Sequence, residues 1–146
     1  MKVGVDYIGI STPFMCHDGN GNFLLSKRSE KCRDEQGKWE FGGGQLHFGE
    51  EPHEGVLREV SEEYGCVGEI LEQLPARSLL REFDGVKTHW LIIPFVIKVN
   101  REEVKLNEPE MITEIGWFKL DQLPTPFHSG SAFGLKLYAH RLEKYK

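Results

Sequence analysis

The stretch GGGQLHFGEEPHEGVLREVSEEYGCV, Gly42 to Val67, decides the reading of this chain. It opens on three glycines and then concentrates Glu59, Glu62 and Glu63, with few cations to neutralise them. Pro52 suits the first turn of a helix, where its missing N–H costs nothing. Gly65 suits the stop, so the pattern predicts a helix from Pro52 to about Tyr64. At about 100° per residue the three glutamates fall in one stripe about 100° wide. Val56, Leu57, Val60 and Tyr64 lie on the adjoining stripe and are expected to pack on a sheet. The glutamates therefore sit beside the core, not opposite it. Glu59 repels Glu62 and Glu63 at i,i+3 and i,i+4, by a few tenths of a kcal/mol per pair. Arg58 can pair with Glu62 at i,i+4 and relieve part of this. Such a face is either a solvated acidic surface or a site for a hard divalent cation, since Mg²⁺ takes carboxylate oxygens and keeps several waters.

Spacing decides between the two. Gly44 is followed by five residues and Glu50, then by seven residues and Arg58-Glu59-Val60-Ser61-Glu62-Glu63-Tyr64-Gly65-Cys66. This resembles the Nudix box, G-x5-E-x7-R-E-U-x-E-E-x-G-U, where U is a bulky aliphatic. All the fixed residues are in place, and a chance match at any one start is on the order of one in 10⁸. Cys66 stands where the family prefers Ile, Leu or Val, and cysteine serves as a small buried hydrophobe. The segments LLSKRS, WEFGGG and EPEMITEIGWFKLDQLP extend the resemblance from about Val3 to Pro124. They are similar to Nudix hydrolases that act on small nucleotides.

The resemblance implies an α/β fold, the Nudix α/β/α sandwich with a mixed β-sheet, as a single domain over residues 1–146 with its box at 44–66. It implies Mg²⁺, with Mn²⁺ as a substitute, and hydrolysis of a pyrophosphate bond in a nucleoside diphosphate derivative. Glu59 and Glu63 match metal ligands, Glu62 a ligand or the holder of a metal-bound water, and the Gly43 carbonyl a backbone ligand. Arg58 organises the carboxylates. The base that activates water varies in the family, so Glu59, Glu62 and a carboxylate outside the box all stay open. That outside carboxylate is expected at Glu110, with Glu108 and Glu114 competing. Glu50 is expected either at the helix terminus or on the metal. Arg28 (or Lys27) is expected to reach phosphate; Trp39, Phe83, Trp90 and Trp117 are candidate surfaces for stacking a base, with Trp117 preferred because its strand follows the loop glutamates. Against these roles stand solvated charges and a core tryptophan.

Subfamily markers narrow the substrate. Arg81 stands where the ADP-ribose group tends to carry proline, and Phe83 where the diadenosine polyphosphate group tends to carry tyrosine. The ending is similar to that of enzymes acting on (deoxy)nucleoside triphosphates, including oxidised ones. A triphosphate cleaved to monophosphate and pyrophosphate is the expected reaction. Another nucleoside diphosphate derivative, such as a nucleotide sugar, ADP-ribose or a dinucleoside polyphosphate, is the alternative, and a non-catalytic nucleotide sensor another.

The remainder of the chain agrees. It has 146 residues, 39% hydrophobic and 28% charged, with net charge −5. That is enough for one core, and it argues against binding a nucleic-acid polymer, which needs a basic face. Three scattered cysteines and no CxxC pair point to a reduced, cytoplasmic protein. No apolar run is long enough for a membrane span, and a homodimer is left open. KVGVDYIGIST reads as a strand, and HDGNGN as a hairpin turn into FLLSKRS. EILEQLPARSLLREF and KTHWLIIPFVIKV read as two long strands joined by Asp84-Gly85-Val86, TEIGWFKL as a strand, and SAFGLKLYAHRLEKY as a C-terminal helix.

Overall fold

A computed structural model describes residues 1–146. In chain order the elements are β1 (Gly9–Ser11), β2 (Phe14–His17), β3 (Phe23–Arg28), β4 (Trp39–Glu40), α1 (Pro52–Tyr64), β5 (Glu69–Gln73), β6 (Arg77–Phe83), β7 (Val86–Ile92), β8 (Phe95–Lys98), β9 (Ile112–Phe118) and α2 (Ser129–Leu142). A short 3₁₀ turn, Glu143–Tyr145, follows α2. The larger sheet runs β4-β3-β2-β8-β5, with β9 also on β3, and the smaller one runs β1-β7-β6. Both are mixed, because β1·β7 and β2·β8 are parallel and the other pairs antiparallel.

Three prolines mark where strands change sheet. Pro13 separates β1 from β2, Pro75 separates β5 from β6, and Pro94 separates β7 from β8. Proline has no N–H to give a ladder, so a strand running through it loses a bond there and readily breaks. The two long strands expected from sequence are therefore four. Their outer halves pair in the small sheet and their inner halves in the large one. The Asp84-Gly85 turn joins β6 to β7 as expected, with positive φ at both residues, as a tight two-residue hairpin requires. The N-terminal strand is shorter than expected, since only Gly9–Ser11 pairs in a strand. In the C-terminal element, His128 caps α2 two residues earlier than the sequence pattern suggests, its Nδ1 accepting from the amides of Gly130 and Ser131.

Alternation along the strands sorts the core into two layers. Phe14, Cys16, Leu24, Phe95 and Ile97 face Val56, Val60 and Tyr64 of α1. Met15, Phe23, Leu25 and Val96 face the other way, onto Leu79 and Ile92 of the small sheet and Tyr138 and Leu142 of α2. The large sheet thus lies between α1 on one side and α2 with the small sheet on the other. No helix is long and apolar enough to cross a membrane.

Candidate active site

α1 begins at Pro52 and ends where Gly65 takes a left-handed φ of 62°, a conformation that costs glycine nothing. The Glu51 amide donates to Glu54 Oε1 at 2.9 Å, closing the first turn. Burying Val56, Val60 and Tyr64 fixes the rotation of the helix, and this turns the glutamate stripe towards Gly42–Gly44.

Gly44 lies so close to Glu59 that a Cβ there would overlap the carboxyl group, and a Cβ at Gly42 would stand 3.4 Å from Glu63 Oε2. The carbonyls of Gly42 and Gly44 accept from the amides of Phe14 (3.1 Å) and Thr12 (2.9 Å). Gly43, between them, presents its carbonyl the other way, and that oxygen accepts no bond from the chain. Glu63 is buried, and its Oε2 has no hydrogen-bond partner. Burial pushes its carboxyl well above the usual carboxylate range. Glu40, Glu59 and Glu108 add to the rise, and the Gly43 backbone offsets part of it. A buried carboxylate with one oxygen unpartnered is a poor arrangement in a dry protein, and that oxygen and the free Gly43 carbonyl are donors that suit a hard cation.

Arg58 holds the other carboxylates. Its Nε and Nη2 donate to the two oxygens of Glu50 at 2.7 and 3.0 Å, and its Nη1 donates to Glu59 (2.8 Å) and Glu62 (3.2 Å). A fifth bond, from Nη2, reaches the Gln45 carbonyl at 3.1 Å. These bonds hold the Glu50 carboxyl down to about 2, Arg58 being the main cause. Glu50 thus serves Arg58, a role that neither expected alternative contained. With Arg58 gathering three carboxylates, no group of three His, Cys, Asp or Glu converges as a ready-made metal cage. The oxygen-rich donors nonetheless fit Mg²⁺, which needs only one or two carboxylates beside its waters. Glu59, Glu63 and the Gly43 carbonyl would hold it.

Glu62, with 51% of its side chain exposed, faces solvent at the rim. Glu110 lies apart, 80% exposed and 3.8 Å from Lys31. Glu108 is the loop carboxylate that senses the cluster. Burial raises its pKa and Glu62 adds to this, and Glu108 in turn acts on Glu59 and Glu63. Arg28 is tied to Asp34 at 2.8 Å and to Glu40 at 2.9 Å. Trp117 packs on the α1 side of the sheet, with Arg101 4.7 Å above its ring. Glu40 is a site residue that sequence reading missed. Its signal was present, because β4 leads straight into the glycines and buried Trp39 sends its neighbour to the other face.

On the α2 side of the glycine segment lies a cavity of about 310 Å³, lined by Gly42–Gly44, Arg28, Glu40, Arg81 and Trp90 among others. A second, of about 700 Å³, shares its Arg33, Asp34, Gln45, Arg81 and Trp90. Carboxylates and cavity thus meet at the three glycines.

Mg²⁺ is expected to raise the melting temperature by ~5 °C once saturating, because it binds the folded site and not the unfolded chain. Thermal scans across millimolar Mg²⁺, with and without nucleotide, check this, and an unchanged midpoint in both series would refute a metal site among these glutamates.

The NUDIX domain family model matches residues 10–138. Two RNA pyrophosphohydrolases are similar to the chain. The one from Acinetobacter baylyi is 26% identical over 67% of this chain and 65% of its own length, so the chain spans less than two thirds of that relative. The one from Sulfurovum sp. is 28% identical over 84% of this chain and 87% of its own length. A MutT NUDIX hydrolase from Burkholderia pseudomallei has the same fold, with a TM-score of 0.77 and 27% identity over 90% of this chain and 98% of that one. With the box complete, the glycines and glutamates in contact and nearly the whole chain matched, this protein belongs to the Nudix hydrolase family.

Proposed function

We propose that the chain is a Mg²⁺-dependent, cytoplasmic pyrophosphohydrolase of nucleoside triphosphates, acting as one unit over residues 1–146. The observation that carries this reading is the unpartnered Glu63 Oε2 beside the free Gly43 carbonyl, set against a cavity large enough for a nucleoside. The bound cation supplies neutralisation of the charge that builds on phosphate oxygens. The chain does the positioning. Glu59 and Glu63 present oxygens to one side of the triphosphate, and Arg58 fixes Glu59 through a bond that leaves Glu63 free. Glu62, open to solvent, orients the attacking water and accepts its proton. Water adds to phosphorus, the anhydride P–O bond breaks, and pyrophosphate departs from the monophosphate.

Product analysis tests this. A nucleoside triphosphate should give monophosphate and pyrophosphate in equal amounts. Hydrolysis in ¹⁸O-water assigns the attacked phosphorus by which product is labelled. Orthophosphate as the sole inorganic product from every triphosphate, with no pyrophosphatase present, would overturn the assignment. The two relatives named RNA pyrophosphohydrolase put a 5′-triphosphorylated RNA into the same panel as the competing substrate.

A further inference from the structure

Trp90 has a setting unlike the other two tryptophans. Trp39 is a core residue, 7% exposed, and Trp117 is covered by Arg101. Trp90 is only half-buried, and it lines both cavities beside the glycine segment. It sits in β7 directly opposite Gly9 of β1. Its indole lies across two glycines. A Cβ at Gly9 would fall 2.5 Å from Cε3 and Cζ3, and one at Gly4 would fall 2.7 Å from Cε2. The Gly4 carbonyl also accepts from the amide of His89, the residue before the tryptophan, at 2.8 Å. One side of the ring is thus seated on bare backbone. Glycine within a strand weakens it and marks a close approach. Here the approach seats a large ring against the backbone, and the same half-buried ring lines the cavity.

The surroundings suit a flat, polar-edged ligand. The Gln45 side chain is exposed, lines both cavities and makes no hydrogen bond within the chain, leaving a donor and an acceptor free. Arg33, also on both cavities, has no ion-pair partner. The smaller chamber runs from Trp90 to Gly42–Gly44, the segment against which Glu59 and Glu63 rest.

Resting on the pyrophosphohydrolase reading, we propose that Trp90 is the stacking platform for the substrate's nucleobase, with Gln45 reading the base edge. Aromatic stacking favours any base with an exposed π-face. Trp90 then fixes the nucleoside end, and the phosphate chain passes over the glycines to the glutamates.

The test compares ligands with and without a base. Trp90→Leu should raise KM for a nucleoside triphosphate by roughly 10- to 100-fold, far more than it lowers kcat. It should leave unchanged the inhibition constant of inorganic tripolyphosphate, which has no base. Trp90→Phe, which keeps a ring over Gly9, should recover most of the loss. Should Trp90→Leu not fold, fluorescence decides. A nucleoside monophosphate should quench tryptophan emission in the wild type and in Trp117→Phe, and the quench should vanish in Trp90→Phe. Loss of the quench in Trp117→Phe instead, or equal weakening of nucleotide and tripolyphosphate, overturns the proposal. The quench needs no turnover, so a protein that hydrolyses no triphosphate yet shows it would refute the reaction and keep the base site.

Discussion

Glu63→Gln is expected to lower kcat by roughly 10³-fold, equivalent to ~4 kcal/mol of transition-state stabilisation. The same change should raise the melting temperature of the metal-free protein at neutral pH. Both effects come from one atom. Oε2 is buried without a partner, so an ionised carboxylate there is unfavourable until a cation meets it, and a neutral amide avoids the charge at the expense of the donor. The pH dependence has a definite sign. Burial raises the Glu63 pKa above its ordinary 4.5. Its stabilising contribution is therefore complete below that value and is lost as pH rises towards the folded pKa. Glu35, held at about 2 chiefly by its bonds to Ser129 against the opposing effect of burial, acts oppositely. Its contribution is present above 4.5 and is lost as pH falls towards 2. Metal-free wild type should thus lose stability on the alkaline side of 4.5 more steeply than Glu63→Gln. Melting curves from pH 4 to 9 in a chelator, with turnover measured at both saturating and physiological Mg²⁺, check both halves. Turnover within a few-fold of wild type would remove Glu63 from the metal site.

Arg58→Ala should destabilise the fold by roughly 2 kcal/mol, or ~4–8 °C, and cut turnover by roughly 10- to 100-fold. The guanidinium bonds three carboxylates and a carbonyl, and its loss leaves Glu50, Glu59 and Glu62 to repel one another. The diagnostic readout is the size of the Mg²⁺ effect. In the variant the cation takes over neutralisation that Arg58 had supplied, so added Mg²⁺ should raise the melting temperature by more than it does in wild type. An equal or smaller rise would show that Arg58 does not act through the metal-binding carboxylates.

The sequence disclosed the helix at 52–64 to the residue, because its signals are local: Pro52 at the start, Gly65 at the stop and an apolar stripe between. The Asp84-Gly85 turn was legible for the same reason. The sheet changes were harder, although Pro75 and Pro94 stood in plain view. A proline says that a ladder bond is missing, but not whether the strand ends, bulges or crosses to a second sheet. That depends on Pro13 breaking the partner strands at the same level, which is a three-dimensional coincidence. The carboxylate outside the box shows a similar limit. Glu108 and Glu110 are two residues apart in a loop with no period to orient them, and Asn107, bonded to the Glu62 carbonyl at 3.1 Å, brings the loop beside α1. Trp117 was read from strand order alone. Alternation along β9 puts it with Leu24 on the α1 face, whereas Phe118 faces the other core.

The three prolines divide the molecule into exchangeable parts. Residues 1–12 and 76–93 hold the whole small sheet, including Gly4, Gly9, Arg81 and Trp90. The glycine segment, α1 and every box glutamate lie outside those two pieces. Each crossing point is a place where ladder pairing is already interrupted, so recombination there disturbs few bonds. A chimera carrying both pieces from another Nudix chain would inherit that chain's counterparts of Arg81 and Trp90 on the cavity wall and keep this chain's Gln45, glycine segment and box glutamates. Such a boundary lets one wall of the cavity be exchanged by shuffling one sheet, without reassembling the contacts between the glycine segment and the box glutamates.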